Sequence, residues 1–110
     1  MELITKAPKG TIDLTPAQTA KWQQAERALA EEARLNGFAE VRTPAFEHTE
    51  LFQRGMGDVT DVVEKQMYTF LDKAGRSVTL RPEGTAGAVR AMLENGLYNG
   101  GYPVKLYYNI

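Results

Sequence analysis

Cysteine is missing from this sequence of 110 residues, and histidine occurs once, at His48. The lack of cysteine excludes disulfides, thiolate metal sites and a cysteine nucleophile. With a single histidine, neither a histidine-based metal site nor a Ser-His-Asp triad is expected, so we predict no metal-binding residues. The lack of cysteine also favours an intracellular, cytoplasmic location.

Long apolar runs and a strong net charge are missing as well. Thirteen Lys and Arg residues stand against fourteen Asp and Glu residues, which gives a formal net charge of -1. No global basic field therefore indicates nucleic-acid binding, although a local patch stays open. No stretch of roughly 18 apolar residues predicts a membrane span, and the first six residues do not resemble a signal peptide. The composition is that of one soluble globular domain.

The first clear element is a long helix. Thr15-Pro16-Ala17-Gln18 combines an N-cap residue, a proline at the first helical position and a capping-box glutamine, which predicts a helix over 16–36 after an extended arm. Apolar side chains at helical spacing predict a buried stripe on this helix, formed by Trp22, Ala25, Leu29, Ala33 and Leu35.

Short β-prone segments and helices follow in alternation. We predict a strand over 39–46, a helix over 49–54, a hairpin over 67–80, a helix over 85–98 and a final strand over 104–110. Pro44 limits the first strand to an edge, an end or a subunit contact. In the helix over 85–98 the apolar residues at helical spacing are Ala86, Val89, Met92, Leu93 and Leu97. The fold class is therefore α+β, with a mixed, mostly antiparallel sheet flanked by helices.

The segment Leu80-Arg81-Pro82-Glu83-Gly84-Thr85-Ala86 lies where a strand gives way to a helix. Gly84 permits the change of direction, and Thr85 is a candidate N-cap. Glu83 is then held by backbone geometry, which suits recognition of a cationic amino group on a small ligand. Acidic residues near helix starts also complement the helix dipole, so from these residues alone helix capping and a ligand site both stay open.

Other candidate motifs have simpler interpretations. Gly55-Met56-Gly57 lacks the Gly-Lys-Ser/Thr ending of a phosphate loop, so a flexible connection is expected. His48 is expected to be a packed or surface imidazole. The acidic residues Asp58, Asp61 and Glu64 are expected to be solvated charges, because no further ligands occur at a recognisable spacing. Tyr102, Tyr107 and Tyr108 could stack on bases, but packing on a strand is the simpler interpretation.

The order of several separated motifs resembles the N-terminal part of the histidyl-tRNA synthetase family, a group of class II aminoacyl-tRNA synthetases. The resemblance covers residues 7–110. The motifs that carry it are Pro8-Lys9-Gly10-Thr11, the run from Arg42 to Phe52, Met67-Tyr68-Thr69-Phe70 and the segment from Leu80 to Thr85.

The resemblance implies roles for particular residues. The helix over 16–36 and the strand over 39–46 match the family's first class II motif, which builds a homodimer interface, so Pro44 and Phe46 are expected there. Glu83, Gly84 and Thr85 match the motif that helps to bind the α-amino group of histidine. The implied reaction uses ATP and Mg²⁺ to convert L-histidine to histidyl-adenylate, and then transfers the histidyl group to tRNA(His).

The extent of the sequence also matters. The resemblance makes residues 1–110 the N-terminal part of a catalytic domain that stops before the arginine of the second class II motif. We therefore expect no catalytic residue within the chain, no bound cofactor and no activity of the chain alone. The alternative is a non-catalytic regulatory paralogue, like the regulatory subunit of ATP phosphoribosyltransferase. The intact Glu83-Gly84-Thr85 motif favours the synthetase.

Overall fold

The computed structural model describes residues 2–55, 65–101 and 103–110. It divides into two compact units, Met1–Gly37 and Phe38–Ile110. The predicted α+β class is confirmed, because helices alternate with strands that form a parallel pair and an antiparallel sheet. The predictions for Met56, Gly57, Asp58, Asp61, Glu64 and Tyr102 fall on residues outside the described ranges.

The first unit contains a single long helix. Helix α1 spans Pro16–Leu35, as its capping signal predicts. The backbone N–H of Thr15 donates a hydrogen bond to Oε1 of Gln18 at 3.1 Å, which is one half of a capping box. The described residues before α1 include a turn, in which the N–H of Thr11 donates to the carbonyl of Pro8 at 3.0 Å.

The predicted buried stripe of α1 is wrong for this chain. No residue of α1 is buried, and Trp22, Leu29 and Leu35 are each more than half exposed. The helical spacing of apolar residues does define one face of the helix. Spacing does not specify what covers that face.

The second unit holds the remaining elements. In chain order these are β1 (Ala39–Glu40), β2 (Phe46–His48), α2 (Thr49–Gly55), β3 (Thr69–Leu71), β4 (Ser77–Leu80), α3 (Thr85–Glu94), a 3-10 helix (Leu97–Gly100) and β5 (Leu106–Tyr107). Strands β2, β4 and β3 form an antiparallel sheet in that spatial order, whereas β1 pairs with β5 in parallel. The core includes Phe52 of α2 and Val78 of β4, which are almost fully buried.

The predicted strand over 39–46 is divided in two. Residues 39–40 pair with β5, whereas β2 starts at Phe46 and pairs with β4. Pro44 lies between the two strands and has no N–H to donate to a ladder. The chain therefore leaves one sheet before Pro44 and enters the other after it. Pro44 thus lies in a connection between two strands and not within an edge strand.

The predicted hairpin is confirmed as the β3–β4 pair. Its turn is held by Asp72, whose Oδ1 accepts the backbone N–H groups of Ala74 and Arg76, each at 2.9 Å. Gly75 has a φ of 82°, a left-handed conformation that side chains disfavour. The N–H of Arg76 and the guanidinium of the same residue together hold the pKa of Asp72 below its usual value.

Helix α3 buries small residues instead of large ones. Its buried positions are Gly87, Ala88 and Ala91, while Val89 and Leu93 are exposed. Val89 and Leu93, two of the apolar residues at helical spacing, therefore do not lie on the buried face. A Cβ at Gly87 would lie 3.2 Å from Oε1 of Glu47, so the buried face is the one small enough to approach the sheet closely.

Candidate functional site

The candidate site is the connection between β4 and α3. Its entrance is fixed by Arg81, whose backbone N–H donates to the carbonyl of Ala45 at 2.9 Å. The guanidinium of Arg81 also donates to the carbonyl of Thr43 at 3.1 Å. The turn that follows, at Pro82 and Glu83, therefore starts from a fixed point next to β2.

Glu83 accepts hydrogen bonds from the first residues of α3. The N–H of Thr85 donates to Oε2 of Glu83, and the N–H of Ala86 donates to Oε1 at 3.0 Å. These N–H groups have no partner inside the helix, so the carboxylate satisfies them and complements the positive end of the helix dipole. The predicted N-cap role of Thr85 is wrong: Gly84 occupies the cap position, Thr85 is the first helical residue, and the capping oxygens belong to Glu83.

Capping leaves Glu83 free to bind a cation as well. A carboxylate has about four lone-pair sites on its two oxygens, and the two backbone N–H groups use only some of them. Glu83 is exposed, so an ammonium group can reach the carboxylate. The two interpretations left open by the sequence are therefore compatible, because the hydrogen bonds that cap the helix also hold the carboxylate in place.

Gly84 lies directly beneath the ring of Tyr108. Gly84 is buried, and a Cβ at this position would come within 2.9 Å of three ring carbons of Tyr108. Real Cβ atoms do not approach ring carbons that closely, so the close packing depends on glycine. The φ of Gly84 is -101°, which any residue can adopt, so glycine is needed here for the contact with Tyr108 and not for the predicted change of chain direction.

Thr85 also contacts Tyr108. Its Oγ1 lies 2.6 Å from the phenolic oxygen of Tyr108, and either atom can be the donor. Tyr108 follows β5, which is fixed against β1 by hydrogen bonds from the N–H of Ala39 to the carbonyl of Lys105 at 3.0 Å and from the N–H of Val41 to the carbonyl of Tyr107 at 2.9 Å. From the sequence, Tyr108 was expected to pack on a strand or to stack on bases, and neither interpretation indicated its contact with Thr85.

An ion-pair network fixes the buried face of α3 to the sheet. One terminal nitrogen of Arg90 lies 2.8 Å from Oε1 of Glu47, and the other lies 2.7 Å from Oε2 of Glu94. The Glu47 side chain is only 8% exposed, and its proximity raises the pKa of Arg90 above the usual value. This network orients the helix that carries Thr85, and neither Glu47 nor Arg90 was singled out from the sequence.

A chain of hydroxyl groups crosses the same face of the sheet. Oγ1 of Thr79 lies 2.9 Å from Oγ1 of Thr49 and 2.8 Å from Oγ1 of Thr69, and Thr49 lies 2.7 Å from Oγ of Ser77. Thr79 is fully buried, so these bonds satisfy a hydroxyl of this group that water does not reach. The alternation of Ser77-Val78-Thr79-Leu80 is the one sequence feature that could have indicated this polar face.

Pro44 and Phe46 were predicted at a subunit contact. Both residues are exposed, and Phe46 is 50% exposed. The ring of Phe46 lies 6.4 Å from that of Phe70 between centroids, and its register partner on β4 is Leu80. Phe46, Phe70 and Leu80 are exposed, as is Tyr68, and together they form an apolar patch on one face of the sheet. This surface is called the Phe46 patch below.

The described ranges contain neither a metal site nor a membrane-spanning helix. There, no group of three or more His, Asp or Glu side chains is arranged to hold a metal ion. None of the helices in those ranges is both long and apolar enough to cross a membrane. His48 is exposed at the end of β2, in agreement with the simpler interpretation of its imidazole.

The fold is that of an aminoacyl-tRNA synthetase catalytic domain. The family model described as histidyl-tRNA synthetase matches residues 10–109. The chain belongs to the histidyl-tRNA synthetase family.

Individual relatives agree with this assignment. The histidine--tRNA ligase of Acetivibrio thermocellus is 58% identical over 108 residues, which are 98% of this chain and 26% of that protein. The crystal structure of apo histidyl-tRNA synthetase from S. aureus has a TM-score of 0.82 and 44% identity, covering 96% of this chain and 25% of that one. This chain therefore spans about a quarter of the length of the relatives that it matches.

A second kind of relative shares the fold. A structure from Bacillus halodurans described as an ATP phosphoribosyltransferase regulatory subunit/histidyl-tRNA synthetase has a TM-score of 0.76 and 27% identity. It covers 98% of this chain and 27% of that one. The relatives thus include both a synthetase and a protein described as a regulatory subunit. The identity is 58% to the Acetivibrio thermocellus ligase and 27% to the Bacillus halodurans protein.

Proposed function

We propose that residues 1–110 are the N-terminal part of a class II catalytic domain, and that the full-length protein is a cytoplasmic histidine--tRNA ligase. It would activate L-histidine with ATP and transfer the histidyl group to tRNA(His). The observation that carries the proposal is the carboxylate of Glu83, held at the start of α3 by the N–H groups of Thr85 and Ala86. The 58% identity to a histidine--tRNA ligase supports it.

In this proposal Glu83 binds the α-ammonium of histidine. At about 4 Å, the attraction between the two charges is worth roughly 4 kcal/mol at an effective dielectric constant near 20, before desolvation costs. Thr85, two residues after Glu83 in the sequence, accepts a further hydrogen bond from the same ammonium. With the amino end fixed by Glu83 and Thr85, the carboxylate of histidine can be held in line for attack on the α-phosphate of ATP.

The described residues do not provide the remaining chemistry. When bound, Mg²⁺ balances the negative charge of the phosphates during adenylation, but the described part of the chain offers no ligand set for it. We assign no residue of this chain to ATP or Mg²⁺. Accordingly, the chain alone should not form histidyl-adenylate.

Replacing Glu83 by Ala in the full-length protein tests the proposal. We expect a fall of about 30- to 1,000-fold in catalytic efficiency for histidine, corresponding to the loss of roughly 2–4 kcal/mol from a charge-assisted hydrogen bond. The measurement is histidine-dependent exchange of pyrophosphate into ATP. Glu50→Ala is the matched control, because Glu50 is also an exposed carboxylate in the first turn of a helix.

Two outcomes would contradict parts of the proposal. Near-normal exchange by Glu83→Ala would remove Glu83 from the site. No histidine-dependent exchange by the unaltered full-length protein would favour the regulatory function named for the Bacillus halodurans relative. A Glu83→Gln variant separates capping from charge. Its amide oxygen can still accept a backbone N–H, but the side chain no longer carries the negative charge that attracts an ammonium.

A further inference from the structure

We propose that Tyr108 is a positioning residue that sets the direction of the Thr85 hydroxyl, so that Thr85 accepts a hydrogen bond from the substrate's ammonium. This inference rests on the proposed function, because it needs Thr85 to face the amino group of histidine. Two contacts carry it: the 2.6 Å approach of the Tyr108 hydroxyl to Oγ1 of Thr85, and the packing of the Tyr108 ring over Gly84.

The reason lies in the donors and acceptors of the two groups. An ammonium has three donors and no acceptor, so a hydroxyl that binds it must offer a lone pair. The hydroxyl of Thr85 carries one hydrogen that rotates to suit its surroundings. If that hydrogen points to the oxygen of Tyr108, both lone pairs of Thr85 stay available. Tyr108 therefore acts as the acceptor that keeps the Thr85 hydrogen away from the ligand.

The surroundings hold Tyr108 in place for this role. Its ring occupies the space above Gly84 that any Cβ would fill. Its backbone follows β5, which is paired with β1. The hydroxyl is thus fixed from two sides without contact with the carboxylate of Glu83 in the described hydrogen bonds. Glu83 and Tyr108 would contribute separately to the same ammonium site, one by charge and one by orientation.

The test replaces Tyr108 by Phe in the full-length protein, which retains the ring over Gly84 and removes only the hydroxyl. We expect the KM for histidine in pyrophosphate exchange to rise about 2- to 12-fold with little change in kcat, the usual range for one hydrogen bond. Tyr107→Phe is the matched control. Tyr107 is the adjacent tyrosine, and its hydroxyl donates to Glu40 at 3.3 Å, so its loss should leave the KM for histidine unchanged.

Two further measurements distinguish positioning from a general loss of structure. Against 3-(imidazol-4-yl)propionate, which lacks the amino group, the inhibition constant should be the same for Tyr108→Phe and the unaltered protein. In a Thr85→Val background, Tyr108→Phe should have no additional effect on the KM for histidine, because the two residues act as a unit. Effects of Tyr108→Phe and Thr85→Val that simply add, or a silent Tyr108→Phe, would overturn the inference.

The failure of this inference can be told from that of the proposed function. If Thr85→Val raises the KM for histidine while Tyr108→Phe does not, ammonium binding by Thr85 is supported and the positioning role of Tyr108 is rejected. If Thr85→Val leaves the KM unchanged, Thr85 does not bind the ammonium, and the inference falls with that assignment. Loss of exchange in Glu83→Ala remains an independent test of the carboxylate.

Discussion

At the scale of single residues, Glu83 has a structural task, to which our proposal adds a chemical one. Its carboxylate caps α3 through the N–H groups of Thr85 and Ala86, and the same bonds aim it at a fixed point. A side chain that is already ordered loses less conformational entropy on binding a ligand. Helix capping would therefore preorganise the carboxylate for the ammonium that we propose it binds.

Gly84 gives a prediction at the same scale. In Gly84→Ala, the new Cβ would overlap the Tyr108 ring, so the ring must move and its hydroxyl must leave Thr85. We expect overpacking of this kind to lower the free energy of unfolding by about 1–3 kcal/mol and to weaken histidine binding. Urea unfolding followed by circular dichroism measures the first effect, and the KM in pyrophosphate exchange measures the second.

The control for Gly84→Ala is Gly87→Ala, also at a buried glycine of this region. There the Cβ would meet Oε1 of Glu47 at 3.2 Å and Oγ1 of Thr43 at 3.3 Å, so the clash is milder. We expect Gly87→Ala to affect histidine binding less than Gly84→Ala. A Gly84→Ala protein with unchanged stability and unchanged KM would mean that Tyr108 does not pack on this glycine.

At the scale of elements, α3 is fixed to the sheet by charge as well as by small buried residues. Arg90 connects Glu47 of β2 to Glu94 of its own helix. Removing the guanidinium would leave Glu47 nearly buried without its charged partner, which is far more costly than losing an exposed ion pair. The orientation of α3, and with it that of Thr85, depends on this contact.

Arg90→Leu tests the contribution of this network. We expect the free energy of unfolding to fall by about 2–3 kcal/mol, less than for a fully buried pair because Arg90 is itself 29% exposed. Urea unfolding of the chain, followed by circular dichroism, provides the measurement. Arg34→Leu is the matched control: its pair with Glu31 has a similar distance of 2.7 Å but is exposed, so its loss should change stability little. Equal effects of the two substitutions would contradict a special role for burial.

Elements defined by local signals could be predicted from the sequence, whereas those defined by distant contacts could not. Local signals predicted α1 and the β3–β4 hairpin, because capping boxes and turn residues act within a few positions. They did not indicate the buried face of α3, because burial there depends on Glu47, forty residues away from Gly87 in the sequence. The division of 39–46 into β1 and β2 likewise depends on partners far along the chain, Tyr107 and Leu80. Glu83 and Thr85 could be identified from their motif, whereas Tyr108 needed the tertiary contact.

At the scale of the whole molecule, exposed apolar surface predicts self-association. The Phe46 patch lies on one face of the antiparallel sheet, and the apolar face of α1 is exposed as well. We expect a dimer or larger assembly of the chain at micromolar concentration, because contiguous exposed apolar patches mark interfaces. Sedimentation equilibrium measures the mass, and a single-chain mass throughout that range would refute the prediction.

A pair of substitutions locates the interface. Phe46→Asp places a charge within the Phe46 patch and should dissociate the assembly if Phe46 and Pro44 lie at the contact. Glu31→Lys is the control, because Glu31 is an exposed, charged position of α1. Dissociation by Glu31→Lys but not by Phe46→Asp would shift the contact from the sheet to the helix.

The pairing of β1 with β5 has a consequence for the order of events during synthesis. Glu40 and Tyr107 are register partners separated by 67 positions, whereas the β3–β4 hairpin closes within a few residues. A chain emerging from the ribosome can form the hairpin early, whereas β1 can pair with β5 only after residues 106–107 have been made. The bonds from Thr85 and Ala86 to Glu83 join neighbouring residues, but the bond from Thr85 to Tyr108 joins residues 23 positions apart. Because non-local contacts form more slowly than local ones, we expect the carboxylate of Glu83 to be capped before the Thr85 hydroxyl is oriented.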